Sequence, residues 1–157
     1  MKFPFLLIIA LLLPLQAEDQ PAKPIKPNQP PVEVRKLLSS HSTVAKFTGI
    51  AFQPCRHRTA QCPDQCTHAG KVASFKIIEY LDYQKLGKYG DPKSASFRTM
   101  VEDQLGHAKI PAATLKSINS LKKGDTVWLS WNHDYVTQNG SSYPERTITK
   151  LSKVAPK

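Results

Sequence analysis

The residue types best suited to chemistry fall in one stretch of fourteen, Cys55 to His68, which reads CRHRTAQCPDQCTH. It holds all three cysteines of the chain and two of its five histidines. His57 follows Cys55 by two residues, and His68 follows Cys66 by two. Thiolate and imidazole donors at this density suit zinc or copper(I) rather than calcium or magnesium. A tetrahedral site needs four donors, and Cys55, His57, Cys62, Cys66 and His68 offer five. Arg56 and Arg58 would favour the thiolate form by their charge. The spacing lacks the C-x2-C pair of common zinc modules.

A disulfide accounts for the same cysteines equally well. In an oxidising compartment two of them would close a covalent staple and leave one thiol over. The pairings Cys55–Cys62, Cys55–Cys66 and Cys62–Cys66 all remain open, and the spare thiol would be free to link two copies of the chain.

Cys62-Pro63-Asp64-Gln65-Cys66 resembles the CPxxC-type motif of Sco-type copper-delivery proteins. That resemblance covers five residues. It implies copper at Cys62 and Cys66, and it brings with it a family whose scaffold is a thioredoxin fold.

The compartment is set by the first residues. Met1 to Ala17, MKFPFLLIIALLLPLQA, places one lysine before a short apolar core and a small residue at its end. This is the pattern of a secretory signal peptide, residues 1–17, too short to read as a membrane span. No cysteine follows the apolar run to carry a lipid anchor. The expected location is the periplasm or outside the cell, with no transmembrane span after signal removal. Residues 18–31, EDQPAKPIKPNQPP, are rich in proline and poor in large apolar side chains, as in an extended linker. Loss of Lys2 with the signal lowers the net charge from +10 to +9. A surface this basic favours an anionic ligand such as a glycan, an envelope polymer or an acidic protein. Export argues against nucleic acid as the ordinary partner.

The remaining residues, 32–157, are of the right length for one small domain. Val32–Ser40 is readable as a short helix or an irregular lead-in. Val44–Gln53 alternates as a strand whose apolar set changes parity at Gly49, which predicts a bulge. Further strands are predicted over Lys71–Tyr83, Ser94–Glu102, Thr126–Val136 and Tyr143–Val154, with a helix over Ile110–Leu121. Pro111 suits the first turn of that helix. Gly87–Pro92 is a turn cluster, and Asn139-Gly140 is a hairpin turn. In the fourth strand Val127, Leu129, Trp131, His133 and Tyr135 share a face.

The order is β-β-β-α-β-β, mostly β with one short helix. It is similar to the OB-fold, a five-stranded Greek-key barrel. The phrase LKKGDTVWLSW also resembles the lysine-glycine-aspartate lead into the fourth strand of such domains. The resemblance implies a ligand face on the second and third strands, bordered by the loops joining strands one to two and four to five. The Cys/His loop is then the first border. His133 or Asp134, at the second, would supply a further ligand or an orienting hydrogen bond. Tyr80, Tyr83, Lys76, Arg98 and the outward Trp128 would form the face. No nucleophile, phosphate loop, metalloprotease motif or paired carboxylates stand out, so the expectation is a binding protein and not an enzyme. Three roles follow: an OB-like binding module with a stapled or metal-loaded loop, a metal-handling protein that works through that loop, and a polyanion- or glycan-binding domain. The oligomeric state is not legible.

Overall fold

Five strands account for most of the domain in the computed structural model, which describes residues 32–55 and 68–155. The strands are β1 (Glu33–Gln53), β2 (Gly70–Lys85), β3 (Ser96–Asp103), β4 (Thr126–Gln138) and β5 (Ser141–Lys153), with one helix, α1 (Ala112–Asn119), before β4. All pairings are antiparallel, in the sheet order β3-β2-β1-β4-β5. The sheet curls into a nearly closed barrel, compatible with an OB-like fold. The stretches expected to be a signal peptide (1–17) and a linker (18–31) lie outside the described residues, as do His57, Cys62 and Cys66. Among the described residues no helix is long and apolar enough to cross a membrane.

Curvature comes from local defects that the sequence specifies. The β1–β2 register shifts between Phe47 and Gly49, and Gly49 has a φ of 122°, a region costly for any residue with a Cβ. The β4–β5 hairpin turns at Asn139 and Gly140, both at positive φ (51° and 77°), as a two-residue turn with right-handed strand twist requires. Before β4, the Gly124 N–H donates to the Phe47 carbonyl, while Phe47 N–H donates to the Asp125 carbonyl, both at 2.8 Å. The Asp125 carboxylate accepts from Lys122 N–H and pairs with Lys153 at 2.7 Å, so one turn ties β1, β4 and β5 together.

Inward residues build the core: Ala45 and Phe47 of β1, Ala73 and Phe75 of β2, Phe97 and Val101 of β3, Val127, Leu129 and Trp131 of β4, and Ile148 of β5. Helix α1 inserts Ile118, while Leu115 and Leu121 pack half-buried beside it. The helix is shorter than its apolar pattern predicts. Pro111 stands at the N-cap with extended backbone (ψ 141°), and the last turn tightens as Leu121 N–H bonds to Ile118.

The largest departure from expectation is β1, whose 21 residues include the whole of 33–40. Burial alternates over Ser39, His41, Thr43, Ala45 and Phe47. This is strand periodicity, but its first three inward positions are polar, so hydrophobic alternation alone does not reveal it.

Candidate functional site at the barrel mouth

The polar half of β1 turns the upper end of the barrel into a site. Pairing across β1, β4 and β5 sets three inward rows. His41 lies opposite Trp131, which lies opposite Ile148. One step outward, Ser39, His133 and Arg146 align. Beyond them Lys36, Tyr135 and Pro144 align. The interior thus grades from apolar core, through a charged row, to a cationic and aromatic rim. The face shared by Trp131, His133 and Tyr135 is as the alternation of β4 predicts. Tyr135 is nonetheless 44% exposed while Asp134 and Val136 on either side are buried, so the buried parity of β4 switches after His133.

The connection between β2 and β3, residues 86–95, closes over this mouth. It is fastened at the β1 register shift between Leu37 and Ser39. Leu86 N–H donates to the Leu38 carbonyl at 2.9 Å, and Asp91 N–H donates to Ser39 Oγ at 3.0 Å. Tyr83 donates to the Asp91 carbonyl at 3.0 Å. Gly90 is buried so close to Leu38 that a Cβ would stand 2.4 Å from the Leu38 carbonyl oxygen.

The loop delivers Asp91 to the centre. Arg146 grips its carboxylate with two bonds, Nε to Oδ2 at 2.6 Å and a terminal nitrogen to Oδ1 at 2.8 Å. His133 Nδ1 lies 3.2 Å from Oδ1. Burial works to raise the Asp91 pKa, but the Arg146 bonds and charge, helped by His133 and His41, hold it below the usual carboxylate range. The same bonds raise the Arg146 pKa.

His41 stacks flat on Trp131, ring centroids 4.4 Å apart and planes within 7°. Its Nε2 is 3.1 Å from Ser39 Oγ. Burial lowers its pKa most; Asp91 opposes that, and His133 and Arg146 reinforce it. Two buried ring nitrogens, His41 Nδ1 and His133 Nε2, have no protein hydrogen-bond partner, while His133 Nδ1 faces the Asp91 carboxylate.

Two clefts flank the Asp91–Arg146 pair. The larger, about 740 Å³, is lined by Lys36, Leu38, Tyr89, His133, Tyr135 and Pro144 together with the pair. The smaller, about 340 Å³, is lined by His41, Pro92, Ser96, Phe97, Arg98 and Trp131, among others, with the same pair as its shared wall. Three cations, Lys36, Arg98 and Arg146, therefore face the clefts against one carboxylate. On the opposite face of the strands, Arg35 is engaged with Glu33, Glu145 and Asp134, so those acids do not offset the cleft cations.

The residues named from sequence are scattered. Arg98 lines the smaller cleft, its guanidinium 2.8 Å from Gln53 Oε1. Tyr80 and Tyr83 turn inward against His41 (centroids 6.1 and 5.1 Å) and are overlaid by Lys93. Lys76 sits exposed between Lys46 and Ser96, and Trp128 is exposed beside Val44 and Ser152. His133 and Asp134 pair with Ser39 and Leu37, near the start of β1. Cys55, half-buried, follows the far end of the same strand, and His68 is exposed just before β2. Among the described residues, no group of three or more His, Cys, Asp or Glu side chains is placed to hold a metal ion.

Asp91 and Arg146 were not singled out by the sequence. Arg146 carried a usable signal: it shares the parity of the core residue Ile148, and His133 shares that of Trp131. Two charged or titratable residues in phase with the core of adjacent strands mark a polar patch inside the barrel. The chain matches no family model, no curated protein and no solved structure.

Proposed function

We propose that this protein is an exported, non-enzymatic OB-like binding module that takes an anionic ligand at the mouth of its barrel. The observation that carries this reading is the charge of the two clefts, where Lys36, Arg98 and Arg146 face a single carboxylate already bound by Arg146. Lys36 has no acidic partner among the described residues, and Arg98 has none either, its guanidinium being held only by the neutral Gln53 side chain at 2.8 Å; both line the clefts that an anion would enter. The net charge, +10 for the full chain and +9 without residues 1–17, favours encounter with the same partner.

A binding role also fits better than catalysis. His133 beside Asp91 has the makings of a base and its orienting acid, but both ring nitrogens are closed off from solvent. A general base must come within hydrogen-bond reach of the proton it removes. Asp91 is committed to Arg146 and is correspondingly a poor orienter.

The test is retention of the purified protein on immobilised polygalacturonate against neutral dextran. Retention on the acidic matrix, release by salt, and loss in a Lys36→Gln/Arg98→Gln double variant are expected. Equal retention of the double variant, or equal retention on dextran, would overturn the reading.

A further inference from the structure

The two clefts have separate linings except for their common wall. Lys36 belongs only to the larger and Arg98 only to the smaller, while Arg146 faces both. A small anion satisfied by one cleft would leave the cation of the other unused. The cations instead form a series, Lys36, Arg146, Arg98, that crosses from one cleft to the next over the Asp91–Arg146 wall. Either cleft alone is within the size range that holds a drug-sized ligand.

We infer that the site is built for a linear acidic polysaccharide of the uronic-acid class, bound as an oligomer that spans both clefts. This rests on the reading of the barrel mouth as an anion site and adds to it the polymer and its minimum length. The larger cleft takes the first sugar units. Its rim presents two accessible rings, Tyr89 at 76% and Tyr135 at 44% exposure, with Pro144 beside Tyr135. Aromatic faces pack against the apolar faces of pyranose rings, while Lys36 meets a carboxylate. The chain then passes Arg146, which is half exposed and keeps N–H donors beyond the two that hold Asp91. The next acidic unit reaches Arg98 over the Ser96 and Phe97 side of the smaller cleft, where the guanidinium keeps N–H donors beyond the one held by Gln53. Regularly repeated carboxylates suit a row of separated cations. An inorganic phosphate chain would match the charges but leave the tyrosine faces without partners.

The wall has a defined part in this arrangement. Asp91 neutralises one cation of the three and keeps like charges from crowding. It also holds Arg146 in one rotamer, and a guanidinium fixed before binding loses less freedom on meeting its ligand.

The experiment is calorimetric titration of the full chain with galacturonic acid, its dimer and its tetramer. Maltotetraose, a thymidine tetranucleotide and tripolyphosphate serve as competing chemistries. The tetramer is expected to bind at least tenfold more tightly than the monomer. Lys36→Gln should weaken monomer and tetramer alike, by fivefold or more. Arg98→Gln should weaken the tetramer by a similar factor and leave the monomer within twofold. Lys123→Gln, in the turn before β4, is the control for loss of general charge and should change none of these. Equal affinity for monomer and tetramer, or an Arg98→Gln variant indistinguishable from wild type with the tetramer, overturns the spanning site while leaving an anion site standing. Tighter binding of the tetranucleotide or of tripolyphosphate overturns the assignment to a polysaccharide. Failure of every anion to bind overturns the proposed function itself.

Discussion

The Asp91–Arg146 pair fixes the loop 86–95 to the barrel, and its energetic weight can be worked from its geometry. Asp91→Asn keeps the volume and the two backbone bonds, from Asp91 N–H to Ser39 and from Tyr83 to the Asp91 carbonyl. It removes the charge that Arg146 grips at 2.6 and 2.8 Å. A hydrogen bond to a charged group contributes roughly 1.5–3 kcal/mol when well buried. A fully exposed pair contributes about 0.2–1 kcal/mol. Asp91 and Arg146 have side-chain exposures of 22% and 48%, which places them between these limits. We expect a coupling of about 2 kcal/mol, the burial contribution discounted for the open side of Arg146. Chemical denaturation of wild type, Asp91→Asn, Arg146→Met and the double variant gives that coupling directly. Each single variant should lose about 2 kcal/mol and the double variant little more than either. The sign with pH follows from the depressed Asp91 pKa. Its contribution is fully present above the unfolded carboxylate value and is lost as pH falls through the lower folded value. The coupling should therefore hold from pH 7 to about pH 5 and shrink as pH falls below about 4. A coupling under about 0.5 kcal/mol at pH 7, below what even an exposed pair often gives, would refute the brace.

Three further outcomes follow from neighbouring residues. His41 is buried with its pKa lowered, so the folded state resists its protonation; stability should fall as pH drops below the unfolded histidine value of about 6.5. His41→Phe should flatten that slope while keeping the stack on Trp131, and an unchanged slope in thermal melts across that range would contradict the assignment. Gly90→Ala should displace the loop, because the new Cβ would sit 2.4 Å from the Leu38 carbonyl oxygen; amide exchange at Asp91 should rise, and unaltered exchange would mean that the close approach is not maintained in solution. For the Cys55–His68 stretch, a metal site predicts a native mass raised by one zinc or copper, lost on denaturing, with three free thiols and no binding in a Cys62→Ser/Cys66→Ser variant. A mass two hydrogens short with one free thiol would instead establish a disulfide.

Much of the architecture was legible because it was encoded locally. Asn139-Gly140 adopts the positive-φ turn its side chains favour, and Gly49 marks the bulge at which the apolar parity of β1 changes. The core face of β4 could be read through Trp131 because apolar and polar residues alternate there. The first half of β1 could not be read in this way. Its inward residues are Ser39 and His41, stabilised by a hydroxyl contact and an aromatic stack rather than by apolar packing. The partner of Arg146 lies 55 residues away in a connection that reads only as a turn. No local pattern announces a contact whose partners meet through loop closure.

The same facts shift attention from the second and third strands to the mouth. A face on β2 and β3 needs exposed rings to receive a ligand, and Tyr80 and Tyr83 are the rings available there. Both hydroxyls are engaged with the connecting loop: Tyr80 donates to the Ser94 carbonyl and accepts from Ser94 N–H, and Tyr83 donates to Asp91. Both rings lean on His41. They act as supports that hold the loop down, so freeing them for a ligand would release Asp91 and unmake the wall between the clefts. Tyr135 has no such duty, and Tyr89 has only the Lys88 ammonium over its ring, 5.9 Å from the centre. Their rings stand at the rim beside Lys36, where a ligand can reach them without any element of the fold giving way.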